Sequence, residues 1–170
     1  MGVETTTEQP PDSFPQLDLL RETFPEGVLE TSRPQGDATA IVGREVLKAA
    51  MEFLKQDPRL LFAVLVDITA VDYLGRAPRF EVVYHLLSLA FNRRLRVKVR
   101  LDDLEPALDS VTQLWGSANW LEREVWDMFG IRFAGHPNLK RILMYEEFHG
   151  HPLRKDYPIR RRQPLIGPKN

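Results

Sequence analysis

The sequence predicts an α+β domain: a mainly antiparallel four-stranded sheet with helices packed on one face, followed by an extended C-terminal arm. Three observations predict it. Leu95, Val97, Val99 and Leu101 alternate with Arg94, Arg96, Lys98 and Arg100, the period of two that gives a strand one apolar and one cationic face. Two segments carry apolar residues at helical spacing: Val46, Leu47, Ala50, Met51 and Leu54, then Leu121, Val125, Met128 and Phe129. Beyond Gly135 all periodicity fades, and Gly, Pro and Arg take over.

Residues 1–15 are polar and carry Pro10, Pro11 and Pro15, so they are expected to be mobile. Leu17, Leu20 and Phe24 recur at helical spacing until Pro25 and Gly27 end the turn. Residues 38–42 form a short strand, and residues 45–56 a helix stopped by Asp57 and Pro58. Three strands follow, at 61–68, 79–89 and 94–101. The first is almost wholly apolar, as for a strand covered on both faces, and the second sets Phe80, Val82, Tyr84 and Leu86 on one side. Their short connections, through Gly75 and Asn92, suit an antiparallel meander. Asp102 and Glu105 resemble a capping box, which starts a helix with Leu104, Leu108, Val111 and Trp115 as its stripe. Ser117 caps the next helix and Gly130 closes it, with residues 131–133 as a further short strand. The expected division is thus 1–15, a domain over 16–134, and an arm over 135–170.

Composition narrows the function. The chain has 170 residues, 43% of them apolar, enough for one packed core. Net charge is −1 but unevenly spread. Residues 1–30 hold Glu4, Glu8, Asp12, Asp18, Glu22, Glu26 and Glu30 against Arg21, whereas residues 131–170 hold nine Lys or Arg against Glu146, Glu147 and Asp156. That balance argues for interaction segments and against a nucleic-acid footprint. The absence of cysteine excludes disulfides, Cys-ligated zinc, ordinary iron–sulfur ligation and a thiol nucleophile. No apolar run approaches the roughly 18 residues of a membrane span. The acidic N-terminus has the character of neither a presequence nor a secretory signal.

Few residues invite chemistry. Glu122, Arg123, Glu124 and Asp127 share the last helix, with Glu124 and Asp127 three apart on one face. A paired-carboxylate acid–base site and partner docking both fit, but a charged face joined by ion pairs is the commoner meaning of such spacing. His136, His149 and His151 are too few for a structural zinc without Cys, and surface hydrogen bonding or partner contact suits them better. Arg154, Lys155, Arg160, Arg161 and Arg162, with Tyr157, could meet nucleic acid, anionic lipid or an acidic partner surface. Phosphate-binding loops and nucleophile elbows are missing. The chain therefore reads as a binding module more than an enzyme.

From residue 122 the sequence becomes specific. Glu122-Arg-Glu-Val-Trp-Asp-Met-Phe-Gly-Ile131, Gly135-His-Pro-Asn-Leu-Lys-Arg-Ile-Leu-Met144 and Gly150-His-Pro-Leu-Arg-Lys-Asp-Tyr-Pro158 stand in this order. Together they resemble the signature of one family of complex I proteins, the C subunit (thirty-kilodalton subunit) of NADH-quinone oxidoreductase. The resemblance is dense over residues 120–158 and looser over the strands before. It implies a peripheral-arm subunit beside the large quinone-site subunit (the forty-nine-kilodalton, D-type protein) in a hetero-oligomer. It places that protein on the cytoplasmic face of a bacterial inner membrane, or the matrix side in mitochondria. FMN and iron–sulfur clusters would lie in partner subunits, with none in this chain, and electrons would pass from NADH to quinone with proton pumping. On that footing Glu122, Glu124 and Asp127 are expected to anchor the arm, with Arg123, His136 and His151 at the partner interface. Arg141, Arg154, Lys155 and Asp156 would make its polar contacts, and Ile142, Leu143, Met144 and Tyr157 its apolar ones. Subunits of related membrane-bound hydrogenases and photosynthetic complexes resemble the same signature. A free-standing hydrolase using Glu124 and Asp127 is the reading from another class.

Overall fold

The structure, a computed structural model, describes residues 14–160 and residue 163. Most of the expected N-terminal segment, and Arg161 and Arg162 of the tail, lie outside the described residues. Helix α1 (Pro15–Thr23) opens the described chain, and strand β1 (Val28–Ser32), a 3-10 turn (Pro34–Gly36) and strand β2 (Thr39–Val42) follow. Helix α2 (Leu47–Gln56) leads to β3 (Val64–Asp72), β4 (Phe80–Ser88) and β5 (Arg93–Leu101). A short β6 (Ala107–Asp109), α3 (Ala118–Phe129) and β7 (Arg132–Ala134) complete the ordered elements.

The main sheet has five strands in the order β1-β2-β5-β4-β3. The expected four antiparallel strands are corrected in two ways. β1, too short and polar to show alternation, adds an edge, and β2 runs parallel to β5. Neighbour choice between strands so far apart in the chain is a tertiary outcome that local pattern does not carry. The β3-β4-β5 meander is as expected, Val82 facing Val99 and Tyr84 facing Val97. Phe80, Val82, Tyr84 and Leu86 meet Leu95, Val97, Val99 and Leu101 in one core, with Leu20 of α1, Leu47, Met51 and Leu54 of α2 and Val125 of α3. On the opposite face two cations of β5 meet carboxylates: Lys98 meets Glu81 at 2.7 Å, and Arg100 meets Glu30 at 3.1 Å.

Two expected elements move. β3 starts at Val64, because Leu61 takes a left-handed turn (φ 46°) after the Asp57–Arg59 ion pair. Leu60 and Phe62 are buried from that turn, which explains the apolar run without a strand. The helix expected from Asp102 is absent. Its backbone instead pairs with β7: Arg132 N–H donates to Pro106 O at 2.8 Å, and Ser110 N–H to Ala134 O at 2.8 Å. Asp103, beside the apparent cap, faces Arg79, and Leu104 of the expected stripe is 95% exposed. Leu108, Val111 and Trp115 still reach the core, the indole N–H of Trp115 donating to Ala63 O at 3.1 Å. Ser117 stands at the start of α3 but donates to Leu65 O (3.2 Å) rather than capping the helix. Gly130 ends α3 in the left-handed region (φ 79°), the conformation that favours glycine at a helix end.

Candidate partner-docking site

The end of α3 and residues 135–160 form one unit. Asp127 is fully buried, and its carboxylate gathers four donors. The Arg141 guanidinium lies on Oδ1, and the successive N–H groups of Ile142, Leu143 and Met144 on Oδ2 at 3.0, 2.9 and 2.9 Å. Burial alone would raise this carboxyl, but the Met144 N–H, Arg141 and the other two N–H groups outweigh it and hold it below the usual carboxylate range. Arg141 continues inward, donating to Phe148 O (2.7 Å) and Gly150 O (3.0 Å), with the Phe148 and Trp126 rings close to its guanidinium. Arg123 donates to the carbonyls of Lys140 (3.0 Å) and Arg141 (2.8 Å). His151 sits with Nδ1 3.0 Å from Asp127 O, and Leu153 N–H donates to Met128 O at 3.0 Å. His136 bridges Asn119 O and the Asn138 N–H, so its Nδ1 accepts and its Nε2 donates.

Gly130 admits His151 closely: a Cβ there would stand 2.7 Å from the imidazole carbon. Gly130→Ala combines that overlap with a left-handed backbone that costs about 1–2 kcal/mol for an L side chain. We expect a loss of at least ~2 kcal/mol in urea unfolding, with the His151 imidazole signals shifted in NMR spectra. An unchanged midpoint contradicts the close fit.

A second clip lies at the other end. Arg79, 6% exposed, makes a bidentate pair with Asp72 (2.9 and 2.8 Å) and reaches Asp103 at 2.8 Å and Asp156 at 2.9 Å. Lys155 N–H donates to Asp72 Oδ2 at 2.8 Å, and Arg154 bridges Asp103 (2.6 Å) and Asp156 (3.2 Å). Arg79 is the leading cause that holds Asp72, Asp103 and Asp156 below the ordinary carboxylate range. Tyr157 closes on Gly150 and stacks on Phe148. The 135–160 segment thus follows an irregular path, and Arg141, His151, Arg154, Lys155 and Asp156 on it bond back to its own domain.

Most predicted site residues converge, but in unlike roles. Asp127, Arg123, Arg141, His136, His151, Arg154 and Asp156 build these internal clips. Ile142, Met144 and Tyr157 are half-buried, whereas Leu143, Lys155 and Glu124 are exposed. Glu122 lies apart in the interior, accepting from Ser110 Oγ and the Val111 N–H, both at 2.7 Å. Asp127 is committed to four donors and Glu124 faces solvent, so the two do not share the environment that acid–base work needs. Sequence reasoning missed Arg79, Asp72 and Asp103. A buried Arg between two strands is a signal only once its position is known. Among the described residues no three His, Asp or Glu converge as metal ligands, and no helix is long and apolar enough to cross a membrane.

Among what the clips present outward are large apolar side chains, beside the exposed Glu146, Glu147 and Lys155. Leu143, Leu153 and Ile159 are 55%, 54% and 99% exposed, and Trp120 on α3 is 69% exposed. A fixed frame that displays large apolar side chains is the build of a component of a larger assembly. The family model described as "Respiratory-chain NADH dehydrogenase, 30 Kd subunit" matches residues 40–163. The C subunit of the NADH-quinone oxidoreductase of Citrifermentans bemidjiense is 48% identical over 150 residues, covering 87% of this chain and 92% of the relative. That of Trichlorobacter lovleyi is 46% identical over 159 residues, covering 92% and 97%. The trypsin-resistant fragment of Nqo5 is a solved structure with TM-score 0.64 and 39% identity, covering 73% of this chain and 99% of the fragment. A chain of an archaeal membrane-bound sulfane sulfur reductase shares the fold (TM-score 0.70, 24% identity, 84% of each chain). The chain belongs to the family of the thirty-kilodalton subunit of respiratory-chain NADH dehydrogenase, the C subunit of complex I.

Proposed function

We propose that this chain is a cofactor-free peripheral-arm subunit of the proton-pumping NADH:quinone oxidoreductase, and that it clasps the large quinone-site subunit with residues 135–170. Electrons then pass from NADH through FMN and iron–sulfur clusters of other subunits to quinone. This chain takes the cytoplasmic side of a bacterial inner membrane, or the matrix side in a mitochondrion. The observation that carries the reading is the display of Leu143, Leu153 and Ile159 from a segment locked by buried Asp127 and Arg79. Supporting shells of redox sites need such rigidity, and a chain without cysteine lacks the usual cluster ligands. Because the clips hold the segment before it meets a partner, little ordering entropy remains to be lost on docking.

Copurification with a tagged chain tests the assignment, by identifying the partners that come with it. Leu143→Asp with Leu153→Asp should lower incorporation into the complex by tenfold or more, since each buried Leu contributes on the order of 1.5–3 kcal/mol. Both residues are exposed in the chain alone, so its unfolding midpoint should not move. Full incorporation of the double variant sinks the clasp. A hydrogenase-type or photosynthetic complex is the second reading, favoured only by the shared fold in the sulfane sulfur reductase. Nickel-ligating Cys pairs in the copurified large partner would decide for a hydrogenase.

A further inference from the structure

The outer face of the main sheet holds a set of unmet groups at one end. Three of the four outward cations of β5 have a carboxylate: Arg96 has Asp37 at 3.6 Å, Lys98 has Glu81 and Arg100 has Glu30. Arg94, exposed and on the same face, has no side-chain hydrogen bond or ion pair among the described residues. Beside it two buried acceptors lack donors among the described residues: Oε1 of Gln16, which is 3% exposed, and Oγ1 of Thr39, the register neighbour of Arg96. Arg94 lines both of two adjoining cavities, of about 380 and 320 Å³, that also share Asp37 and Ala38; Gln16 lines the smaller, and Thr39 lines neither but directly follows Ala38 in the chain. The larger cavity has Val66 and Leu87 as its apolar wall and His85 at its edge. Val66 is 57% exposed there.

We propose that this groove receives an extended segment of a neighbouring subunit, with a carboxylate on Arg94 and an adjacent apolar side chain against Val66 and Leu87. The inference rests on the reading of the chain as part of a multi-subunit complex. Each unmet group defines part of the ligand. A guanidinium with a free fork selects a carboxylate over a neutral group. Gln16 Oε1 wants an N–H, which an extended backbone supplies at nearly every residue, and a buried acceptor left unpaired is costly. The apolar wall selects the neighbouring side chain. His85 adds no competing charge near neutral pH, because burial, and then Arg96, push its pKa below the ordinary value. Asp37 and Asp67 also face this imidazole and Lys98 lies near it, and their opposed charges leave that direction unchanged. The charged and apolar parts of the groove, Arg94, Arg96, His85, Val66 and Leu87, lie within residues 40–163, the part matched by the family, while Gln16, Asp37 and Ala38 lie before it, so the carboxylate and apolar side chain that meet Arg94 and Val66 are expected from the complex rather than from residues 1–13. The face is distinct from the clasp, since it is built from α1, the residues just before β2, and β3, β4 and β5.

The test uses the assembled complex. Arg94→Lys keeps the charge and places an amine at position 94, and a water-soluble carbodiimide then joins it to any carboxylate in contact. The reagent takes up the water that leaves as the amide forms. The expected result is a new cross-link, absent from wild type, from position 94 to an Asp or Glu of another subunit, flanked by an apolar residue in its peptide. Arg94→Glu should weaken retention of the chain in the salt-washed complex by about tenfold, restored in part by reversing the carboxylate so identified. A cross-link to Glu4, Glu8 or Asp12 of the same chain overturns the proposal, as does no new cross-link in a complex that contains the variant. If the tagged chain copurifies with no partner at all, the reading as part of a complex falls and this inference with it, so the two failures are distinguishable.

Discussion

Replacing Asp127 by Ala should cost the domain about 3–5 kcal/mol, the loss seen when one partner of a buried charge pair is removed. The carboxylate is fully buried and serves four donors at once. Its loss leaves three successive backbone N–H groups without an acceptor, and Arg141, 14% exposed, without its counter-charge. The effect is larger than that of a surface pair, which contributes about 0–1 kcal/mol. Urea unfolding of the isolated chain measures it, and limited proteolysis should show new cleavage among residues 140–150. Asp127→Asn keeps an acceptor for the N–H groups and should recover part of the loss. The sign with pH follows from the depressed carboxyl. Its stabilisation is complete above the ordinary Asp value of 3.8 and is lost only as pH falls through the lower folded value. Equal stability of wild type and Asp127→Ala at pH 7 would refute the clamp.

The same residue shows what a sequence can and cannot carry. The spacing of Glu124 and Asp127 places them on one helix face, and that much is local geometry. Which of them is buried depends on a loop 14 residues downstream, whose three N–H groups meet only when Arg141 has turned inward. β5 was legible because its period of two runs unbroken from Arg94 to Leu101 and because its two faces read differently. The segment after β5 misled because Asp102, Glu105 and Pro106 supply the chemistry of a helix start, while Arg79, just before β4, takes Asp103 and β7 takes the backbone. Local propensity lost there to a buried Arg and a second sheet. The dense run from residue 122 identified the family without revealing that Glu122, Asp127 and Arg141 turn inward while Glu124 and Lys155 stay exposed.

Glu122 should make the domain less stable as pH rises from about 4.5 to 7, the reverse of what the buried aspartates do. It is fully buried with Ser110 and Val111 as its donors among the described residues, and burial pushes its carboxyl up from 4.5 to about 7 despite those two hydrogen bonds. A carboxyl that holds its proton more tightly when folded contributes most below its unfolded value, and that contribution is lost as pH climbs through the folded one. At about 1.36 kcal/mol for each pH unit of difference, the loss is about 3 kcal/mol. Asp72 and Asp127, both depressed, change only below 3.8, outside this window. His85, depressed from 6.5, works in the opposite direction inside it. The difference between wild type and Glu122→Gln therefore isolates Glu122. Gln keeps the shape, accepts from the Val111 N–H and donates to Ser110 Oγ, whose hydroxyl can turn to Thr112 Oγ1 at 2.8 Å. The variant should match wild type near pH 4.5 and exceed it by about 3 kcal/mol at pH 8. Tyr84 supplies a second readout. Burial, and then the charge of Glu122, push its hydroxyl well above 10, so Glu122→Gln should bring its titration down. Parallel stability curves from pH 4.5 to 8 would mean that Glu122 is already ionised in the folded chain at acid pH, against the low-dielectric site that its neighbours create.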